Sequence, residues 1–331
     1  MKGFLSKYGV LVAFLVLCII SAAWKPDLFL KPENLRNIIN QNVPVGILAV
    51  GMTFVIIKGG IDLSVGSMIA FVGGLGLTLL NRQMANGTPE LTAAMIAAGA
   101  MIGLGGLAGF VQGLIVAYGR VTPFVTTLIG MLAFRSMTLA LANGGEVRSS
   151  STEVWPAWGS DGIHIPWIKI ADGRMDLVIT YAIIAFFVVI GIASFILNKT
   201  RYGRYVIAVG ANERAARYSA IPVERIKILT YTISGLAVGI GAIFLSGRMN
   251  SVASGSQGLF FELDAIAAVV IGGTSLRGGY GRVWGTFVGV LLLGVINNML
   301  IFAGVGSHWQ GVVKGLVILL AVLLQRERRD V

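Results

Sequence analysis

The sequence predicts an all-α membrane protein with about ten transmembrane helices, and three observations carry that prediction. Of 331 residues, 56% are hydrophobic and 12% charged, against about 25% charged in an ordinary soluble domain. Long apolar stretches recur, among them Val10 to Trp24, Leu63 to Leu80, Leu91 to Tyr118, Leu177 to Leu197 and Val283 to Ala303, and about 20 such residues cross a bilayer. The basic residues fall in the short connections rather than along one amphipathic face, so the net charge of +11 reads as a topology signal and not as a nucleic-acid surface. No connection is long enough for a separate soluble domain, and 1–331 reads as a single transmembrane domain.

The predicted crossings are 8 to 24, 43 to 58, 63 to 80, 91 to 118, 122 to 142, 176 to 197, 227 to 247, 262 to 275, 283 to 303 and 309 to 324. At the amino terminus Lys2 and Lys7, an apolar core and then Ser21-Ala22-Ala23 form a pattern shared with secretory signals. The apolar run reaches Trp24 without a break, so the first crossing reads as a retained span. The eighth is short enough to be re-entrant or tilted.

With the amino terminus inside, the inner connections hold Lys2, Lys7, Lys58, Arg120, Lys199, Arg201, Arg204, Arg214, Arg217, Arg225, Lys227, Arg277, Arg282, Arg326, Arg328 and Arg329. The outer ones hold fewer basic residues and collect the acids Asp27, Glu33, Glu90, Glu146, Glu153, Asp161, Asp172 and Asp176. Basic residues in short loops stay cytoplasmic, which places both termini inside. Arg135 and Lys314 fall within predicted spans, where an unpaired charge costs about 2.5 to 3.5 kcal/mol. Arg135 must therefore face protein or water, while Lys314 is close enough to a helix end to snorkel.

Lipid gives helices no hydrophobic reason to associate, so close approach through small residues must supply the packing. Gly105, Gly109 and Gly113 form one ridge, Gly281, Gly285 and Gly289 another, and Gly235 with Gly239 a third. The glycines near 103–109 and 279–285 are not spaced for a dinucleotide fold and follow no strand. The turns Gly59-Gly60-Ile61-Asp62-Leu63-Ser64-Val65-Gly66 and Gly272-Gly273-Thr274-Ser275-Leu276-Arg277-Gly278-Gly279 share four positions, a faint sign of a duplicated helix pair. In the first of these, Asp62 or Ser64 is placed to cap the next helix.

The stretch Gly60-Ile61-Asp62-Leu63-Ser64-Val65-Gly66-Ser67, preceded by Ala49-Val50-Gly51-Met52-Thr53, resembles the signature of ribose-type permeases of bacterial ABC sugar importers. So do Glu262 to Leu276 with Gly278, Gly279, Gly281 and Arg282, and Thr200-Arg201-Tyr202-Gly203-Arg204 followed by Ala208 to Asn212. The resemblance runs from about residue 30 to 325, in order. It implies a type II-like ABC importer permease in the bacterial inner membrane that pairs with a second permease, identical or not. It also implies a periplasmic sugar-binding protein that delivers a monosaccharide and a separate ATPase subunit that drives import. ATP and Mg would then belong to that ATPase, leaving this chain without a cofactor. No Gly-Lys dipeptide occurs, so a phosphate-cradling P-loop is independently excluded.

The longest inner connection, 198–226, suits a coupling loop. Asn212 can cap a short helix through Glu213, Arg214, Ala215, Ala216, Arg217 and Tyr218, with Pro222 as its stop. In the family that resemblance implies, such a helix docks on the ATPase, with Gly60, Asp62, Ser64 and Gly66 as a conformational turn. The outer connection 143–176 carries Trp155, Trp158 and Trp167, read as interfacial anchors or as contacts for the binding protein. A hydroxyl-rich sugar calls for exchangeable hydrogen bonds, so the intramembrane amides Asn37, Asn40, Gln41, Asn42, Asn297 and Asn298 are the candidate path. Asp62 and Asp264 read as helix-end residues rather than a catalytic pair, and His164 and His308 lack a third ligand at metal spacing. Cys18 stands alone, which excludes a disulfide within the chain.

Three readings compete. A branched-chain amino acid permease shares the architecture but not the Asp62-centred turn. A secondary transporter needs coupling acids inside its spans, where this chain has almost none. An intramembrane enzyme lacks any Gly-x-Ser-x-Gly, His-x-x-Glu-His or His-Glu-x-x-His pattern.

Overall fold

The computed structural model describes residues 2–170, 175–306, 309–313, 315, 316 and 319. In chain order the elements are α1 (Lys2–Trp24), α2 (Pro26–Phe29), α3 (Pro32–Ile57), α4 (Val65–Ala85), α5 (Glu90–Tyr118), α6 (Pro123–Leu141), β1 (Glu146–Arg148), α7 (Val154–Ser160), β2 (Gly162–Ile170), β3 (Met175–Thr180), α8 (Tyr181–Lys199), α9 (Arg201–Ala211), α10 (Glu213–Tyr218), α11 (Val223–Met249), β4 (Ser251–Ala253), α12 (Phe261–Ile271) and α13 (Val283–Phe302).

Among the described residues, α3, α4, α5, α6, α8, α11 and α13 are each long and apolar enough to cross a membrane, and α1 adds the shorter apolar stretch Gly9–Trp24. The chain is therefore a multi-pass membrane protein. The eighth predicted crossing, 262–275, read as short enough to be re-entrant or tilted, holds a short helix: α12 has 11 residues, about 16 Å at 1.5 Å per residue, roughly half the hydrocarbon thickness. The predicted crossing 309–324, with Lys314 and the basic residues 326–329, lies largely or wholly outside the described residues, as do His308, Asp172 and Arg174.

Two boundaries shift for local reasons. The second crossing starts at Pro32 rather than 43, because Pro32 enters at the first helical position, where its missing amide costs nothing, and Pro44 is carried within the helix. The sixth starts at Tyr181 rather than 176. Residues 175–180 pair antiparallel with β2, and the Thr180 hydroxyl accepts the Ile183 amide (3.3 Å) to begin α8.

Helix α3 is the central post, with 78% of its most apolar window buried, whereas α6 is peripheral at 17%. The tightest seam joins α5 to α11. A Cβ on Gly105 would strike the Gly235 carbonyl and one on Gly109 the Tyr231 carbonyl, so these backbones touch because neither glycine has a side chain. Two of the predicted ridges thus face each other. The third meets α12 instead, with Gly285 against Gly272 and Gly289 against Ala268.

The connection 143–176 is not a plain loop, and the all-α expectation is amended there. Strand β1 pairs with β4 in the register Val147 to Val252, and β2 with β3 in the register Ile163 to Ile179. Trp155 is fully buried rather than anchored at an interface, on a short helix whose Gly159 packs against the backbone at Gly247 and Arg248 of α11. Trp167 is 83% exposed.

Candidate functional site

The turn between α3 and α4 sits deep in the bundle. Its residue Ser64 accepts a hydrogen bond from Gln112 Nε2 (2.8 Å), and Gln112 is six residues before Tyr118 at the end of α5, about 9 Å at 1.5 Å per residue. The recess below is filled by α9 and by the turn after α12. The Gly279 amide donates to the Ile57 carbonyl (2.8 Å), and a side chain on Gly210 would collide with the same carbonyl. The two glycine turns that share four positions therefore meet in space, with Gly59 and Gly273 both left-handed at φ 89°.

A buried polar knot occupies this turn. Asp62 is 1% exposed. Its Oδ1 accepts from the Ser64 amide (3.0 Å) and hydroxyl (2.6 Å), and its Oδ2 from the Ser234 hydroxyl on α11 (3.2 Å). Lys58, also buried, reaches the Tyr231 hydroxyl at 3.4 Å and lies 4.4 Å from the centre of that ring. Thr127 of α6 donates to the Ile61 carbonyl (3.3 Å). The capping expectation is corrected: Ser64 is the N-cap of α4 without a side-chain capping bond, and Asp62 ties α3, α4 and α11 together instead. Gly60 and Gly66 fit tightly, the first beside Lys58 and Tyr231, the second against Glu262 and Gly258.

Helix α10 stands below this knot. Asn212 Oδ1 accepts the Ala215 amide (3.0 Å), the predicted cap. The helix ends at Tyr218, before left-handed Ala220 (φ 58°), so Pro222 opens α11 rather than stopping α10. Ala216 is buried, while Glu213, Arg214, Ala215 and Arg217 are exposed and Tyr218 is 92% exposed. Arg217 bonds Glu224 (2.5 Å) and Glu213 (3.4 Å), and Lys227 bonds Glu213 (2.7 Å). The bond to Glu224, with the attraction of both carboxylates, holds the Arg217 guanidinium above its ordinary range.

A second irregular region precedes α12. Gly258 packs against Gly66 and Ile69 of α4, and Arg135 donates to the carbonyls of Ser254 and Gln257 (both 3.0 Å). The intramembrane arginine thus faces protein, as expected, and satisfies backbone oxygens that a helix would have satisfied itself.

The six candidate path amides separate. Asn42 of α3 and Asn297 of α13 meet around a cavity of about 10 Å³, joined by Asp264 of α12, enough for about one water. Asn297 Oδ1 is buried without a hydrogen-bond partner. The others have local partners: Asn298 exchanges bonds with Asn34 (2.7 and 3.3 Å), Asn40 accepts from Thr180 (2.8 Å) and Asn37 from Arg36 (3.1 Å). Gln41 is exposed. Asp264 is thereby placed with the amides and apart from the knot of Asp62. His164 pairs with Asp161 (3.0 Å), and among the described residues no group of acids, histidines and cysteines could hold a metal.

Sequence reasoning missed Gln112, Tyr231, Ser234 and Lys58. Each is a polar residue within or beside an apolar run, a visible signal whose partner could not be read.

Comparison with known proteins places the chain. Residues 34–322 match the family model described as branched-chain amino acid transport system / permease component. The ribose import permease protein RbsC of Escherichia coli (strain K12) is 40% identical over 328 residues, covering 99% of this chain and 96% of that protein. RbsC of Bacillus subtilis (strain 168) is 38% identical over 98% of this chain and 94% of its own length. The xylose transport system permease protein XylH of Escherichia coli (strain K12) is 34% identical over 95% of this chain and 90% of its own. No solved structure matches. With a family match that spans most of its length and relatives that cover nearly all of it, this chain belongs to the branched-chain amino acid transport system / permease component family.

Proposed function

We propose that the chain is the membrane-spanning permease subunit of an ABC importer that moves a monosaccharide, a ribose-like pentose, a hexose or a related sugar, across the bacterial inner membrane. Full-length similarity to ribose and xylose permeases carries this reading. The family model's description names branched-chain amino acids, but the relatives that cover nearly the whole chain are named for sugars, and the Asp62 turn agrees with them.

The chain catalyses no bond change and carries no cofactor; ATP and Mg are the business of a partner ATPase. That ATPase docks on α10 within the 198–226 loop, with Ala215, Arg217 and Tyr218 as its contact surface. A periplasmic binding protein delivers the sugar near the 143–176 segment. Ten crossings with both termini cytoplasmic complete the arrangement, counting α12 with its preceding segment as one and 309–324 as another. The turn of Gly60, Asp62, Ser64 and Gly66 passes motion from α10 to α3, α4 and α11. Asn42 and Asn297 are the amides best placed to meet sugar hydroxyls, and Asp264 joins them.

The test is uptake of labelled ribose, xylose and leucine in cells that express the chain with its ATPase and binding protein. Pentose uptake that requires the ATPase supports the reading. Leucine uptake, or uptake that persists without the ATPase and collapses with the proton gradient, sinks it. Cysteines at Ser160 and Tyr205 test orientation: the first should label from outside intact cells and the second only after lysis.

A further inference from the structure

A groove of about 420 Å³ opens between the start of α3, strand β3 and the start of α8. Leu35 and Ile39 of α3, Ile179 of β3, and Ile183 and Phe187 of α8 line it, with Arg36 as its one charged liner. Leu35, Ile179 and Phe187 are exposed, so the groove faces away from the bundle. Its depth follows from the two helices. Arg36 lies about 6 Å along α3 from Pro32, and Phe187 about 9 Å along α8 from Tyr181. The groove therefore runs from headgroup level into the upper hydrocarbon, at the end of the bundle that the proposed orientation puts outside.

Arg36 is under-satisfied. A guanidinium carries five N–H donors; here Nη2 bonds Asn37 Oδ1 (3.1 Å), and Nε is buried without a hydrogen-bond partner. A buried donor without an acceptor is costly, and the other side chains that line the groove are apolar and supply none. Snorkelling does not resolve this, because Nε is buried and Nη2 is tied back to Asn37. The acids Glu33 and Asp176 flank these stretches but do not line the groove. Its volume is within the range of about 300 to 1,000 Å³ that holds small molecules. A monosaccharide would leave its hydroxyls unpaired against such a lining. An amphiphile with an apolar chain and an anionic head matches both halves.

We propose that this groove is a binding site for one anionic phospholipid, with an acyl chain along Leu35, Ile39, Ile183 and Phe187 and the phosphate at the Arg36 guanidinium. The planar fork of an arginine matches phosphate oxygens in a way that a point charge does not. The lipid fills the space between α3 and α8 and braces β3, and with it the β2–β3 hairpin, against the bundle. The site does not depend on the import reading.

The full chain, reconstituted in liposomes of phosphatidylglycerol and phosphatidylcholine in equal parts, extracted in mild detergent and weighed by native mass spectrometry, tests this. Phosphatidylglycerol should be retained about fivefold over phosphatidylcholine, the preference expected of one basic side chain near an anionic headgroup. Arg36→Gln should abolish that preference and Arg36→Lys should keep most of it, while Arg82→Gln, exposed in the last turn of α4, should leave it unchanged. Leu35→Trp, which fills the groove, should lower retention of both lipids. Should a substitution disturb the fold, a photoreactive benzophenone residue at Ile179 with Arg36 intact reads the same contact, and it should cross-link to lipid. The inference is overturned by equal preference in wild type and Arg36→Gln, by inorganic phosphate that raises the melting temperature as far as phosphatidylglycerol does, or by cross-links from position 179 to residues 309–324 or to a second copy instead of lipid.

Discussion

The chain breaks its helical pattern inside the bundle twice, and the two breaks are built in opposite ways. At 58–64 the acceptors of Asp62 are filled, Lys58 is buried against Tyr231, and helices α5, α6 and α11 all contribute a polar partner. At 254–260 backbone turn bonds and the link from Ser254 to the Gly145 carbonyl hold the segment together with Arg135, while Gly255, Ser256, Leu259 and Phe260 are exposed. Buried polar groups are costly unless satisfied, so the first break is a rigid joint. The second draws its side-chain support mainly from one arginine and leaves one side exposed.

Asp62→Ala should give the largest effect, because it removes the buried acceptor of the Ser64 amide and of the Ser64 and Ser234 hydroxyls. Each buried donor left unsatisfied costs about 1 to 3 kcal/mol, and a thermal melt in detergent should show the loss together with abolished uptake. Asp62→Asn should recover part of the stability, since it keeps an acceptor oxygen; identical behaviour of the two variants would argue against the knot.

Arg135→Ala should cost less, about 2 to 3 kcal/mol for the lost charge-assisted bonds to the two carbonyls. It sharpens the contrast through location: thiol reactivity of a cysteine at 256 should rise several-fold while one at 64 stays protected. Equal protection at both sites would show that the outer break does not depend on the arginine.

Gly109→Ala probes the seam that joins the two regions. Its added methyl meets the Tyr231 carbonyl, directly behind the knot, and overpacking costs about 1 to 3 kcal/mol. Fluorescence-detected chromatography should show reduced monodisperse protein, whereas Gly99→Ala, which meets nothing, should not.

The smallest structural effect belongs to Ala215→Glu. This position is exposed on α10, so stability should change by under about 0.5 kcal/mol while coupling of ATP hydrolysis to uptake falls at least tenfold. Full coupling would remove α10 from the ATPase contact. The neighbouring Ala216 is buried, and a charge there would confuse misfolding with uncoupling.

Much of this was legible in sequence because the bilayer imposes one-dimensional rules. Length and hydropathy located α3, α4, α5, α6, α8, α11 and α13, glycine spacing located the α5 and α11 faces, and Asn212 marked the start of α10. The misreadings came where the chain follows partners rather than pattern. Residues 176–180 read as the start of a span because Leu177 to Ile179 are apolar, but they extend because β2 is there to pair with them. The segment 262–275 was legible as short, but not its approach: Arg135 and Gly66, more than a hundred residues away, hold the non-helical stretch that leads into a half-length helix.

What the sequence determined alone is the solvent, the helices that meet it and the family, since each depends on local composition or contiguous motifs. Tertiary structure decided which polar residues meet. Asp62 and Ser234, or Asn42, Asp264 and Asn297, are brought together by helices that cross at angles no linear pattern encodes, and a buried hydrogen bond has no signature until both of its ends are placed.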